Sequence, residues 1–493
     1  MPRLPIPASL AVWCLLPLLL LGGSGCMTSH PAAMAAPLRQ VSAGTAPDLT
    51  ALSKRLAGKD RLLALLERGR LQQIEGRPAA SLADFTAAAE WLQQHDEAAL
   101  VTVRGAGRQA GAMLVNDATL PYAGDGYERV FLHTFQALNY LAAGQLDGAG
   151  VEIRLANEEQ ERARARHEAA ISRARREAAD SGAGFVESRP EAVQALAKAE
   201  AAVGAVTSSF QNAYTFCLSA AVYEMLGQPN DAYIDYKRAL EIHPGNRVVQ
   251  RQLLRLARQL GMGEDLERFR LQFQAEPAAP PAGQGEVAVF YEEGFVPPKV
   301  ELKFPIPVPD TKLSGFTAAA VPMYAPPCGQ PAPLAVARAD GERLGETEPV
   351  CDVRALAVKA LKERLPVILT RQAVRTTLKG LAAHQTHQQV LKSGEGQENE
   401  GLATLATLGV SALSYVTENA DLRSWLSLPA FTQVLRAPLP AGECRLRLCA
   451  AGGGAAAEIG VPIRENRLTL LHVIRAGNRL TCTIIPPAGT APP

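Results

Sequence analysis

A chain of 493 residues, 47% hydrophobic and 20% charged, is too long for one core and should divide into at least two globular domains. Its 50 lysines and arginines nearly cancel 49 aspartates and glutamates, leaving a net charge of +1. No overall field draws it to nucleic acid or to an anionic membrane, which excludes a nucleic-acid-binding class.

The chain opens on residues that read as a lipoprotein signal peptide, 1–25. Arg3 is the only early charge, and the apolar run Leu10 to Leu21 is shorter than the roughly 20 residues of a permanent span. The run closes on Leu-Gly-Gly-Ser-Gly-Cys26, and small residues before a cysteine resemble the bacterial lipobox. That resemblance implies diacylation of Cys26 as the mature N-terminus. Gly23 stands where leucine is usual, so an ordinary signal peptide with a chance cysteine is the alternative. Met27 in place of an aspartate fits sorting to the outer membrane of a Gram-negative bacterium, facing the periplasm. Residues 26–50, rich in Ala, Ser, Pro and Thr, are predicted to be a flexible tether.

Residues 51–275 are predicted to be all helical and to repeat. The unit Ala213 to Asn246 is 34 residues long, and its Tyr223, Gly227, Ala232, Tyr236, Ala239 and Pro244 are spaced as in a tetratricopeptide repeat. Ala220 and Ala232 are small where two antiparallel helices must approach, and Gly227 lets the chain turn. Gly261 follows 34 residues later, Gly144 holds the same slot with Tyr140 before it and Ala149 and Ala156 after it, and Gly76 lies two periods earlier. Between them NDATLPYAGDGYE reads as loop. Gly144 and Gly227 are 83 residues apart, and the surplus falls in a charged helical run, Val151 to Asp180, with i,i+4 pairs such as Glu158/Arg162. It reads as a solvated helix, or as a protruding partner-binding arm.

A linker, 276–285, ends the helical pattern, and an α+β domain with antiparallel strands is predicted over 286–487, followed by a tail, 488–493. Val287, Val289, Tyr291 and then Val300, Leu302, Phe304 recur at every second residue, with Gly294 to Pro298 turning between them. Further strands are expected at 333–338, 431–437, 444–449, 468–474 and 480–485, with hairpin turns at Pro440-Ala-Gly442 and Ala476-Gly-Asn478. Two helices are inserted: Asp352 to Lys392, which Pro366 should kink or split, and the apolar Leu402 to Glu418. In an oxidising compartment Cys328 and Cys351 are candidates to pair; Cys444 and Cys449 face opposite sides of one strand, and Cys217 is an apolar filler.

The stretches Gly126 to Ala156, GEVAVFYEEGFVPPKVELKFPIP and ENADLRSWLSLPAFTQVLRAPLPAGECRLRL together resemble a family of tetratricopeptide-containing bacterial lipoproteins with no established reaction. The similarity covers most of the mature chain in the same order. It implies an envelope location and an interaction role, since members in some genomes neighbour lipoproteins similar to activators of penicillin-binding proteins.

Motifs for chemistry are scarce. Gly105-Ala-Gly107 to Gly111 has its third glycine one residue late for a dinucleotide fingerprint, and there is no phosphate-binding GxxxxGK[ST] loop. His384 and His387 share a helical face without an acidic or cysteine neighbour, and no Gly-x-Ser-x-Gly elbow occurs. No catalytic residues, cofactor or metal are expected. The expected function is a lipid-anchored periplasmic scaffold for an envelope protein partner; the alternatives are a peptidoglycan- or glycan-binding accessory protein and, behind it, a hydrolase with a convergent site. First-helix residues line the concave side of such repeats, here Phe131, Thr134, Leu138 and Leu141, then Tyr214, Cys217, Ala221 and Glu224. They form a largely apolar partner groove, open to a helix or extended segment or else filled by the chain itself. Arg423 and Trp425 form a second candidate, a recognition corner, against the reading that Trp425 plugs the core and Arg423 satisfies Asp421.

Overall fold

The computed structural model describes residues 29–104, 117–180, 197, 206, 209, 211–277, 282–307, 316–325, 329–392 and 419–487. The predicted signal peptide, Cys26, Cys328, the predicted helix 402–418 and the predicted tail lie outside these residues. Among the described residues no helix is long and apolar enough to cross a membrane.

The N-terminal half is helical. Four hairpins follow one another: α3 (Arg61–Ile74) with α4 (Pro78–Arg104), α5 (Gly126–Ala142) with α6 (Leu146–Asp180), α7 (Ala213–Met225) with α8 (Pro229–Ile242), and α9 (Arg247–Gln259) with α10 (Gly263–Phe273). Each turns on one of the four glycines in register, Gly76, Gly144, Gly227 and Gly261, whose φ angles are 71°, 72°, 73° and 67°. The same pair of backbone bonds closes every turn. At Gly227 these are Gly227 N–H to Glu224 O at 3.0 Å and Gln228 N–H to Tyr223 O at 2.8 Å. This is the left-handed helix-ending motif in which a Cβ is penalised, so glycine recurs there. Ala220, Ala232 and Ala239 are wholly buried between α7 and α8. The charged run is continuous with the second helix of its hairpin. It makes up all but the first five residues of the 35-residue helix α6, with Glu158 and Arg162 paired at 2.7 Å.

The predicted tether is instead structured. His30–Ser42 forms helix α1, followed by the short α2 (Thr50–Lys54). Pro31 sits in the first turn, where its missing N–H costs nothing, and alanine favours the helix. His30, Met34, Pro37 and Val41 fall on one face and are buried.

The C-terminal half carries three sheets. The central one has the order β11 (Arg479–Ile485), β10 (Leu468–Ala476), β1 (Gln284–Glu293), β7 (Phe431–Pro440) and β6 (Glu348–Asp352). All its pairs are antiparallel except β1 with β10. A second sheet has the order β5 (Arg343–Glu346), β4 (Leu334–Arg338), β8 (Gly442–Ala450) and β9 (Ala456–Ile463). The third is β2 (Lys299–Pro307) with β3 (Phe316–Tyr324). Two predicted hairpins are therefore corrected. β2 pairs with β3 rather than with β1, and β7 and β8 enter different sheets across the Pro440–Gly442 corner. The turn at 476–478 does join an antiparallel pair, β10 and β11. Helix α11 (Val353–Lys392) runs on through Pro366 undivided.

The helical half and the sheets share a core. Val287, Val289 and Tyr291 point into the sandwich between the first two sheets, while Ala288 and Phe290 point into the cluster that also holds Phe85, Phe135 and Tyr214. Strand β1 is thus buried on both faces.

Candidate functional site

The residues predicted to line a partner groove lie under the central sheet. Phe131, Thr134, Leu138, Leu141, Tyr214, Cys217 and Ala221 are all buried. Thr134 and Thr215 hydroxyls meet at 2.8 Å across α5 and α7, and the Tyr214 ring abuts the Phe290 ring edge-on, with centroids 5.6 Å apart. An open apolar groove is ruled out because β1 fills it, presenting an apolar second face that buries more favourably against helices than against water.

A polar joint crosses this contact. Glu292, on β1 and with no exposed surface, accepts hydrogen bonds from Arg70, from the Tyr214 hydroxyl at 2.7 Å and from His472 Nε2 at 2.8 Å. Arg70 lies over the Phe135 ring at 4.3 Å and donates to Gln73 at 2.5 Å; Gln73 donates to Asn139, and Asn139 to Ser81. Burial works to raise the Glu292 carboxyl, but Arg70 and His472 overcome it and hold it at about 2. Burial also pushes the Tyr214 phenol well up. The four groups are sealed, and none lines either of the cavities described below. They couple helices to sheet and have no route to a substrate. Glu292, the first of two adjacent glutamates that end the apolar run of β1, was the sequence signal for this joint.

The recognition corner is likewise internal. Trp425 has no exposed surface and meets Phe85 and Phe135 edge-on at 5.8 and 5.7 Å. Three consecutive backbone amides enter the helical half beside it: Trp425 N–H donates to Glu128 at 2.8 Å, Leu426 and Ser427 N–H to Glu67 at 2.7 and 3.0 Å. Arg423 is held by Asp421 at 2.7 Å, by Asp60 at 2.8 Å and by the Leu120 carbonyl at 2.9 Å. The pair forms a plug because two buried carboxylates wait for its amides and an aromatic pocket waits for the indole. Glu128 also accepts from the Asp125 N–H at 2.8 Å, so Asp125 and Glu128 cap α5, which begins inside the stretch read from sequence as loop.

Two of the cavities lined by the described residues are open. The smaller, 390 Å³, lies at the start of α5; there Asp125 bonds Arg364 and sits 3.6 Å from Lys299, and Arg129 pairs with Asp96. The larger, 800 Å³, is a cleft between α7, α9 and the β5, β6 and β7 strands. Glu224, the one predicted groove residue left at an opening, lies on its wall and accepts from Arg436 at 2.6 and 2.9 Å and from Arg255. Burial works to raise the Glu224 carboxyl, and the two guanidinium groups hold it at about 2 instead. Arg436 also reaches Glu286 at 2.7 Å and the Tyr236 hydroxyl at 3.0 Å. Arg251 and Arg467 line the cleft and are exposed, facing a lining that also includes Glu346 and Glu348. The cleft is polar and carries both signs of charge.

The chemistry elsewhere is committed or remote. Cys217, Cys351, Cys444, Cys449 and Cys482 are free thiols; burial pushes Cys217 and Cys351 far up and Cys482 to about 11, so these three are not ready nucleophiles. Among the described residues no group of three or more His, Cys, Asp or Glu is placed to hold a metal ion, and the side chains of His384 and His387 lie outside them. No family model, no curated protein and no solved structure matches the chain.

Proposed function

We propose that this chain is a non-catalytic, lipid-anchored outer-membrane scaffold of the periplasm, whose hairpins are degenerate tetratricopeptide repeats and whose cleft receives a protein partner of the cell envelope. The observation that carries the reading is the cleft itself. The sheet occupies the concave side of the hairpins at Tyr214 and Leu138 and leaves a void of 800 Å³ beyond Glu224. Its fixed ion pairs, Glu224 with Arg436 and Arg255, set the wall. Exposed Arg251 and Arg467 then offer cations to a polar, extended segment bearing carboxylates, rather than to the apolar segment, helical or extended, that an apolar groove would take. Support for the anchor comes from Cys26 and the apolar run before it.

A photo-reactive residue at Gln259, on the cleft wall, should capture one envelope protein in intact cells. The double change Arg251→Glu and Arg467→Glu should abolish that adduct without altering the thermal transition. An adduct that survives the double charge reversal would remove the cleft as the binding surface.

A further inference from the structure

We propose that the body of the protein is docked directly on the phospholipid surface by its N-terminal face, rather than floating from it on a tether; this rests on the reading of Cys26 as the lipid-bearing residue. Only Met27, Thr28 and Ser29 separate Cys26 from helix α1. Fully extended, the four steps from Cys26 to His30 span about 14 Å. No slack follows, because α1 is clamped at both ends. At its start His30 Nε2 meets Glu67 at 3.0 Å and His30 Nδ1 meets Arg55 at 3.2 Å; Glu67 in turn holds the Leu426 and Ser427 amides. At its end the Ser42 carbonyl accepts from Asn478 N–H at 3.3 Å in the β10–β11 turn. Between the clamps Met34 and Val41 are wholly buried with Leu71, Ile474 and Ala476.

Helix α1 is therefore as fixed as the core it enters, and with about 14 Å of chain at most between it and Cys26 the surface around its start must lie within a headgroup layer or two of the bilayer. That surface has the matching charge. Residues 29–61 hold Arg39, Lys54, Arg55, Lys59 and Arg61 against Asp48 and Asp60, whereas the whole chain is nearly neutral. Arg39, Lys54 and Arg61 are exposed, and Arg55 touches His30 at the point of entry. Juxtamembrane cations of this kind favour an anionic phospholipid surface.

The test uses the full-length acylated protein in phosphatidylethanolamine–phosphatidylglycerol vesicles, with a fluorescent unnatural amino acid at Ala32 or at Lys54, both exposed. Headgroup-nitroxide lipids should quench both probes. A 20-residue Gly/Ser insertion after Cys26, adding a coil of about 25 Å, should remove that quenching. Mass spectrometry of the same sample reports the acyl chains on Cys26. Acylation with unquenched probes, or quenching indifferent to the insertion, overturns the docking. A Cys26 without acyl chains overturns the anchor on which it rests.

Discussion

Glu292 and Glu224 are carboxylates whose charge the fold requires. Each would titrate at an ordinary value of 4.5 and is held at about 2 in the folded chain. A depressed folded value means stability that is complete above 4.5 and is lost as the pH falls toward 2. The shift corresponds to about 3 kcal/mol per carboxylate at neutral pH. The double variant Glu224→Gln, Glu292→Gln should lose stability at pH 7, since Arg70 and Arg436 remain buried with weaker acceptors. It should also respond less than the parent to acid between pH 4.5 and 2. Buried carboxylates whose titration moves the other way, such as Glu128 and Asp235, are common to both proteins and cancel in the comparison. Urea midpoints across the pH range decide it, and equal acid sensitivity in the two proteins would sink the assignment.

At the scale of elements, two glycines separate backbone strain from steric closure. Gly227 has φ 73° and nothing within 4 Å of a Cβ built on it, so Gly227→Ala should cost only the left-handed penalty of about 1–2 kcal/mol. At Gly285 a Cβ would lie 2.1 Å from the Arg464 carbonyl and 2.9 Å from that of Arg467, both backbone, where β1 enters the central sheet. Gly285→Ala should therefore destabilise the protein more than Gly227→Ala by urea unfolding; the reverse order would mean that β1 enters differently. The same two sites show what was readable beforehand. The hairpin glycines announce themselves because the turn demands glycine locally, wherever the helices go next. Gly285 gives no such sign, since its constraint comes from residues 179 and 182 positions away. Strand alternation at Val287, Val289 and Tyr291 was likewise local, whereas β2 pairing with β3 and the splitting of β7 from β8 are decided by partners distant in sequence. Helix α1 was missed because Pro31 and Pro37 obscure the spacing of His30, Met34 and Val41. The polar cleft was missed for a related reason. Glu224, Arg251 and Arg255 come from the helices, but Arg436, Glu286 and Arg467 arrive from the sheet half. A continuous apolar run, Val287 to Tyr291, was the available hint that β1 is covered on both sides and would fill the groove.

The whole molecule is a helical half and a sheet half that cannot be closed separately. Tyr214, Phe85 and Phe135 on one side and Phe290, Trp425 and Leu428 on the other belong to one apolar cluster, and α1 buries Met34 and Val41 against Leu426 and Ile474. Severing the chain in the 276–285 segment would expose both faces, and would part Arg70 from its carboxylate while leaving Glu292 only His472. The intact protein should unfold in one cooperative transition. Fragments ending at 277 and beginning at 282 should each bind a hydrophobic dye and show no sharp transition alone, then regain one when mixed. Two independent transitions in the intact chain, or a sheet fragment that melts sharply by itself, would show that the shared core does not govern folding. That outcome would also loosen the cleft, whose walls come one from each half and whose width depends on the Glu224 to Arg436 contact that joins them.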